Sequence, residues 1–284
     1  MIIFKKITDL QHYLSGQKAG GARLGFVPTM GALHQGHISL IGKAKADNSL
    51  VVCSIFVNPT QFNDPNDFEK YPISIENDIE LLIEAGCDIL FLPSVAEMYP
   101  NGPANSPTYD FGYLDTILEG AKRPGHFKGV GQVVAALLNA VQPHKLYLGQ
   151  KDYQQCMVLK QLIKLMDKEN EVQLVICPTT READGLAMSS RNRRLSEFIR
   201  PKAATIYQCL VSIESKQSNS HFETVKKECI ELLKEKGFAP EYVALANAND
   251  LTLLNDYQPN TPTVALIAAW LGDVRLIDNL IISS

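Results

Sequence analysis

Hydrophobic positions in the first 178 residues alternate between short apolar runs and longer stretches of helical periodicity. The short runs predict strands at residues 24–27, 50–57, 88–92, 145–148 and 172–177. The periodic stretches between them predict helices at residues 38–46, 75–85, 130–141 and 153–168. Alternation of this kind indicates a parallel sheet with right-handed crossovers and helices on both faces. The sequence therefore predicts an α/β, Rossmann-like, doubly wound sheet.

The pattern changes after Cys177-Pro178. Two amphipathic stretches, 196–214 and 222–236, predict helices. Three apolar runs that follow predict strands at residues 242–246, 264–270 and 274–277. Only Leu271-Gly272-Asp273 separates the last two runs, which is a hairpin-length connection. We therefore expect two domains, a Rossmann-like one over residues 1–178 and a smaller α+β C-terminal one over residues 179–284.

Composition narrows the class of protein. The 284 residues are 45% hydrophobic and 20% charged, as in ordinary soluble globular proteins, and the net charge of −4 argues against a nucleic-acid partner. The sequence has neither a run of about 18 apolar residues nor a signal peptide, so no membrane partner is expected. Its six cysteines lack C-x-x-C spacing and mostly sit in apolar runs, which is typical of core residues in a reducing compartment. The expected location is the cytoplasm.

The most informative motif is His34-Gln35-Gly36-His37, which stands where the strand at 24–27 gives way to a helix. Two histidines three residues apart are neighbours on one helix face. The N-terminus of a helix attracts phosphate through its unpaired N–H groups and its partial positive charge. By itself the motif is also compatible with two surface histidines near a turn. In this setting we interpret it as a cradle for the phosphates of a nucleotide.

A second motif, Met188-Ser189-Ser190-Arg191-Asn192, lies more than a hundred residues later. Two hydroxyls and a guanidinium on a loop suit the oxygens of a departing pyrophosphate. Alone, this is a common loop composition. In this order after H-x-G-H, it resembles the second signature of the nucleotidyltransferase superfamily that includes class I aminoacyl-tRNA synthetases. The two loops belong to different predicted domains, so we expect the C-terminal domain to act as a lid over ATP.

Other polar residues follow predicted strands and point to the same crevice. Gln61 lies after the second strand, in Asn58-Pro59-Thr60-Gln61-Phe62. The segment Gly149-Gln150-Lys151-Asp152-Tyr153-Gln154-Gln155 follows the strand at 145–148 and offers a point charge, a carboxylate for ribose and the amide of Gln155. Arg123-Pro124-Gly125-His126-Phe127 adds a basic residue and an imidazole before another helix. These residues predict a pocket for a polar small molecule.

Taken together with Glu119-Gly120, Ala269-Trp270-Leu271-Gly272 and Arg275-Leu276-Ile277-Asp278-Asn279, these blocks closely resemble the pantothenate synthetase (pantoate–β-alanine ligase) family over residues 1–280. The resemblance implies ATP-dependent condensation of pantoate with β-alanine to pantothenate, with Mg²⁺, in a homodimer. We expect a pantoyl adenylate to form first, with release of pyrophosphate, and the amine of β-alanine then to displace AMP. One departure is Gln150, where glutamate is common in the family.

The resemblance also implies roles for individual residues. His34, His37, Lys151 and Arg191 are expected to be catalytic, as donors to the developing phosphoryl charge. Gln61 and Gln155 are expected to bind pantoate, and Gln61 also β-alanine. Further substrate contacts are expected at Met30, Asn58, Arg123 and His126. The expected ATP-binding residues are Met30, Gly31, Ala32, Leu33, His34, Gln35, Gly36, His37, Gly149, Gln150, Lys151, Asp152, Met188, Ser189, Ser190 and Arg191.

Alternative functions remain at this point. A nucleotidylyltransferase that stops at the nucleotidyl product would share H-x-G-H, but it does not explain the blocks around Gln61 and Gln155. A non-catalytic nucleotide-binding module is disfavoured by the complete set of His34, His37, Lys151 and the Ser-Ser-Arg loop. A tRNA synthetase is disfavoured because no region offers an anticodon-binding domain or a basic surface. The sequence does not identify the magnesium ligands or a general base.

Overall fold

The computed structural model describes residues 1–62, 68–69 and 71–282. Its strands are β1 (Ile2–Phe4), β2 (Leu24–Thr29), β3 (Leu50–Ile55), β4 (Ile89–Phe91), β5 (Lys145–Gly149), β6 (Gln173–Cys177), β7 (Phe238–Asn247), β8 (Leu253–Leu254), β9 (Thr263–Leu271) and β10 (Val274–Ile282). Its helices are α1 (Ile7–Ala19), α2 (Gln35–Asp47), α3 (Ile75–Glu84), α4 (Val95–Met98), α5 (Leu118–Lys122), α6 (His126–Val141), α7 (Tyr153–Leu165), α8 (Thr205–Ser215) and α9 (Phe222–Glu235).

The chain divides into two compact units. One contains Met1–Gly149 and Val158–Cys177, and the other contains Gln150–Met157 and Pro178–Ser284. The chain passes from the first unit to the second at Cys177-Pro178, next to the predicted boundary between residues 178 and 179. The short segment after β5, Gln150–Met157, is also grouped with the second unit.

The first unit is built on a six-stranded parallel sheet in the order β1-β4-β3-β2-β5-β6. From β2 the chain proceeds outward through β3 and β4, and it then returns to the other side of β2 for β5 and β6. This reversal between β2 and β5 is the topological switch point at which α/β sheets bind ligands, outside the carboxyl ends of the strands. The predicted doubly wound sheet is confirmed.

The core of the first unit forms on the faces of this sheet because residues of one strand point alternately to its two sides. Val27 of β2 and Val51 and Cys53 of β3 pack in one apolar cluster with Leu40, Ile41 and Ala44 of α2 and with Leu82 of α3. The interleaved residues Phe26 and Val52 are also fully buried. Burial of the residues on both faces of β2 and β3 fixes the carboxyl ends of these strands, where the candidate site begins.

The second unit contains a four-stranded antiparallel sheet in the order β10-β9-β7-β8. Helices α8 and α9 pack on it through one apolar cluster that includes Leu210, Ile213, Val225 and Leu233 from the helices and Ile267 from β9. The predicted α+β architecture of the C-terminal region is confirmed.

Several features differ from the sequence prediction. The stretch at 196–214 is not one helix: a 3₁₀ turn at Arg200–Lys202 precedes α8, because Pro201 lacks a backbone N–H and restricts the residue before it. The sequence also did not predict strands β1 and β8 or helices α1, α4 and α5. Strand β1 is only three residues long and its isoleucines are exposed, so it lacks the apolar run that marked the other strands.

The six cysteines are all unpaired thiols and all buried, which confirms their interpretation as core residues. Among the residues that the structure describes, none of the helices has both the length and the apolar character needed to cross a bilayer.

Candidate active site

The H-x-G-H motif caps helix α2. His34 is the N-cap residue, with extended backbone, and its Nδ1 accepts a hydrogen bond from the Gly36 N–H at 3.2 Å. His37, in the first turn, makes the cap reciprocal, because its Nδ1 accepts a hydrogen bond from the His34 N–H at 3.3 Å. The ring centroids are 4.1 Å apart. His34 thus precedes the helix instead of lying on its face, yet the two rings are neighbours as predicted.

This double cap determines how the imidazoles carry their protons. A backbone N–H can only donate, so each Nδ1 that receives one must be unprotonated. In the neutral ring the proton then resides on Nε2. Both histidines are therefore set as Nε2–H donors, which is the form a phosphate oxygen needs. They use Nδ1 to hold the helix N-terminus and carry a donor at Nε2.

The loop between β2 and α2 is anchored by Asp78, a residue that the sequence did not single out. Gly31 and Ala32 have φ values of 81° and 50°, a region that costs energy for alanine. The loop is held there because Ala32 and Leu33 donate their backbone N–H groups to the two carboxylate oxygens of Asp78, each at 2.8 Å. Asp78 is fully buried and also accepts from Ser74 Oγ at 3.0 Å. Its carboxylate positions the loop that leads into the histidines.

Gln61 follows β3, in a 3₁₀ turn at Pro59–Gln61. Asn58 orients it, because Asn58 Nδ2 donates to Gln61 Oε1 at 3.3 Å and to the carbonyl of Gly129 at 3.2 Å. Asn58 Oδ1 accepts from Tyr99 Oη at 2.9 Å. The NH₂ group of Gln61 is 2.9 Å from Met30 Sδ. Asn58, predicted as a substrate contact, is buried and bonded within the protein, and it fixes which end of the Gln61 amide is presented.

Arg123 and His126 support the same turn. The carbonyl of Gln61 can only accept, so the 2.8 Å contact from His126 Nδ1 places that ring's proton on Nδ1. His126 Nε2 then accepts from the Arg123 guanidinium at 3.2 Å. His126 is buried, at the start of α6. The two residues predicted as possible substrate contacts thus lie beside Gln61 and hold its backbone.

Close packing at this turn leads to a stability prediction for Gly129 of α6. A Cβ at Gly129 would lie 2.7 Å from the carbonyl carbon of Thr60 and 2.9 Å from the Cα of Gln61. We expect Gly129→Ala to lower the free energy of unfolding by about 1–3 kcal/mol, as overpacking typically does, measured by urea denaturation. The matched control is Gly42→Ala in α2, where a Cβ would enter open space and alanine favours the helix. Equal unfolding midpoints for the two variants would contradict this packing argument.

The second unit carries the predicted residues that follow β5. Lys151 and Asp152 lie in a 3₁₀ turn, with Lys151 Nζ 3.6 Å from Asp152 Oδ1. Gln155 is half-buried in the first turns of α7. Tyr153 anchors this segment by donating to the carbonyl of Ala248 at 2.6 Å, and burial raises the pKa of Tyr153 to about 12. The hydrogen bond from Tyr153 therefore anchors the turn of Lys151 and Asp152 within the second unit.

The Ser-Ser-Arg segment also lies in the second unit, at the start of a 3₁₀ turn over Ser190–Arg194. Ser189 caps this turn by accepting from the Arg191 N–H at 3.3 Å, and Ser190 is buried. Asn192 donates from Nδ2 to the carbonyl of Ala187 at 3.0 Å. Arg191 thus stands at a defined place in a capped turn.

This geometry defines the class of protein: an α/β nucleotide-binding protein with imidazole donors at the helix that follows the central strand of its sheet. Comparison with known proteins gives the family. A family model described as Pantoate-beta-alanine ligase matches residues 2–281, and the chain belongs to that family. It is therefore a ligase that joins pantoate and β-alanine to form pantothenate.

Individual relatives agree over the whole chain. A pantothenate synthetase of Cytophaga hutchinsonii is 47% identical, and one of Bacteroides thetaiotaomicron is 42% identical, each alignment covering 99% of this chain and at least 98% of the relative. The crystal structure of pantothenate synthetase from Thermus thermophilus superposes with a TM-score of 0.92 at 38% identity, with complete coverage of both chains. A pantoate-beta-alanine ligase from Francisella tularensis, complexed with beta-gamma ATP and beta-alanine, has a TM-score of 0.80 at 39% identity, with 99% and 97% coverage.

Proposed function

We propose that the ligation proceeds through a pantoyl adenylate. A carboxylate is a poor acyl donor, so the carboxylate of pantoate first attacks the α-phosphorus of ATP and pyrophosphate leaves. The amine of β-alanine then attacks the acyl carbon and AMP leaves. The observation that carries this proposal is the reciprocal cap of His34 and His37, which sets two Nε2–H donors at a helix N-terminus beyond the central strand β2. Such donors stabilise charge that develops on phosphoryl oxygens.

The ATP site is proposed to comprise the loop and helix start at 30–37, the turn at 149–152 and the segment at 188–191. Lys151 and Arg191 add fixed positive charge for the phosphates, and together with His34 and His37 they are the proposed catalytic residues. Each of these donors is expected to contribute about 3–4 kcal/mol to transition-state stabilisation, by analogy with single-donor deletions in other enzymes.

Pantoate is proposed to bind to Gln61 and Gln155, and β-alanine to Gln61. A neutral amide beside the nucleophilic carboxylate can hold it by hydrogen bonds without forming an ion pair that would weaken its attack. The arrangement around Gln61 supports this role, because Asn58 bonds to its oxygen and leaves the NH₂ end toward Met30. The relative from Francisella tularensis is complexed with beta-gamma ATP and beta-alanine, and we propose that ATP and β-alanine bind here.

Magnesium is proposed to enter with ATP. Magnesium ions usually keep several waters and bind through substrate phosphates and one or two carboxylates. In the part of the chain that the structure describes, no three His, Cys, Asp or Glu side chains group into a metal cage, so the fit is to a metal brought by the triphosphate. The metal would neutralise phosphate charge, and Asp152, the only carboxylate of the 149–152 turn, would assist in holding it. A homodimer is proposed from the family resemblance, and a cytoplasmic location from the free, buried cysteines, which are typical of a reducing compartment.

The test of this function is isotope exchange between pyrophosphate and ATP. If the adenylate forms before β-alanine enters, exchange should require pantoate and Mg²⁺ but not β-alanine. Chelation of the metal should abolish exchange and added Mg²⁺ should restore it. Exchange that appears only when β-alanine is added would contradict the two-step route. Exchange that needs no acid at all would point instead to a nucleotidylyltransferase that uses another nucleophile.

A further inference from the structure

Near the end of the chain, β10 carries two buried polar residues side by side, Asp278 and Asn279. The two residues are 4% and 1% exposed. Neighbouring residues on a strand point to opposite sides, so the two side chains serve different partners. Those partners lie in the two segments that the second unit contributes to the proposed ATP site. Their role therefore rests on the proposed function, and the partners of both side chains lie within the second unit.

Asn279 is bonded to the turn that carries Lys151. Its Nδ2 donates to the carbonyl oxygens of Gln150 and Lys151, at 2.9 and 2.8 Å. Its Oδ1 accepts from Nε2 of Gln150 at 3.2 Å. Two carbonyls need both hydrogens of one NH₂ group, which only a carboxamide provides on so short a side chain. The Gln150 amide matches the remaining oxygen, whereas a glutamate at 150 would oppose it with a carboxylate.

Asp278 is bonded to the base of the segment that carries Ser189, Ser190 and Arg191. Its two oxygens pair with both terminal nitrogens of Arg181, at 2.5 and 3.0 Å, which is a bidentate ion pair. Arg181 also donates to the carbonyl of Gly185 at 3.0 Å and lies 4.0 Å over the ring of Tyr207. It forms a β-bridge with Ala187, just before the Ser-Ser-Arg segment.

The two anchors are joined by more than sequence adjacency. Arg181 donates a further hydrogen bond to the backbone carbonyl of Asn279 at 3.2 Å, and the Asn279 N–H in turn donates to Asp278 Oδ1 at 2.8 Å. The guanidinium therefore contacts both members of the dipeptide. A displacement of either residue along β10 would therefore move both the Lys151 turn and the Ser189–Arg191 segment.

We propose that Asp278-Asn279 is a positioning pair that holds the Lys151 turn and the Ser189–Arg191 segment in register for the phosphates of ATP. Neither side chain is a catalytic residue, since Asn279 acts through Lys151 and Asp278 acts through Arg181, whose bridge to Ala187 precedes the Ser189–Arg191 segment. A displacement of about 1 Å in a reacting group can cost on the order of a hundredfold in rate. A buried amide with every polar atom bonded to the turn is a means of preventing such a displacement.

A double-mutant cycle tests whether Asn279 acts through Lys151. We expect Asn279→Ala to lower kcat and the pantoate-dependent pyrophosphate–ATP exchange rate by about tenfold or more, with KM for β-alanine within about twofold of wild type. In the Lys151→Ala background, Asn279→Ala should cost less than about twofold more, because the group that it positions is already gone. Independent losses that multiply would overturn the proposal, as would full activity of Asn279→Ala.

Two further variants separate positioning from general destabilisation. Asn279→Asp is nearly isosteric but has no hydrogen to donate, so it should match the kinetic defect of Asn279→Ala while remaining folded by circular dichroism. The control is Arg275→Gln on the same strand, which loses an ion pair with Glu241 and should retain wild-type kcat and exchange. If Arg275→Gln lowers kcat and exchange as much as Asn279→Asp does, the loss comes from general disturbance of β10 and the proposal fails. Wild-type protein without any exchange would instead refute the proposed function.

Discussion

Replacing His37 with alanine is expected to lower kcat by about a hundredfold or more, and His34→Ala is expected to do the same. Each change removes one preorganised donor to the phosphoryl oxygens, a loss that typically costs roughly 10²- to 10³-fold. Each also removes a cap from α2, since the Nδ1 atoms receive the backbone N–H groups of His34 and Gly36. Steady-state kinetics with saturating pantoate and β-alanine measure the effect.

Asparagine and glutamine separate the two functions of each ring. An asparagine side chain reaches about as far as Nδ1 and restores the cap, whereas a glutamine NH₂ group reaches about as far as Nε2. We therefore expect His37→Gln to recover part of the activity and His37→Asn to recover stability without activity. Exposed His12 on α1 is the control position, where alanine should leave kcat unchanged. Activity within about threefold of wild type for both alanine variants at 34 and 37 would contradict the assignment.

Gln61→Ala and Gln155→Ala are each expected to raise KM for pantoate by about tenfold while leaving KM for ATP within about twofold. A hydrogen bond to a charged ligand group contributes about 1.5–3 kcal/mol, and about 1.4 kcal/mol corresponds to tenfold in affinity. Gln61→Glu should raise KM for pantoate further, because it opposes one carboxylate with another while preserving the size of the side chain. Initial rates at varied pantoate and varied ATP measure the difference.

The control for these changes is Asn58→Ala, which leaves Gln61 in place but removes the hydrogen bond to its Oε1. This variant should raise KM for pantoate less than Gln61→Ala does, since the amide remains but is no longer held in one orientation. A defect confined to KM for ATP in the glutamine variants would show that the acid pocket lies elsewhere. The positions of Gln61 and Gln155 in two different units make the two variants independent tests.

Local pattern was sufficient for most of the first sheet. Strands β2 to β5 are mostly buried, so their residues form apolar runs between stretches of helical periodicity. Strand β6 is only partly buried, but it too is an apolar run, over Leu174, Val175 and Ile176. The edge strand β1 was not predicted because it is only three residues long and its isoleucines are exposed. Its pairing with β4 joins residues that are far apart in sequence, such as Ile2 and Ile89. The error at 196–214 had a local cause, since Pro201 interrupts a stretch whose periodicity alone favours a helix.

By itself the sequence determined the order of the elements and the placing of the chemically important residues at their ends, because both depend on periodicity and on neighbours along the chain. Only the tertiary structure decided which distant groups hold them. Asp78 accepts hydrogen bonds from backbone N–H groups 45 and 46 residues away, and Asn279 donates to backbone carbonyls 128 and 129 residues away. Such partners follow from strand order and packing. No spacing in the sequence encodes these partners, because every residue except proline has the same backbone N–H and C=O groups. A side chain that accepts from one or donates to the other can therefore bond to any residue that the fold brings near it.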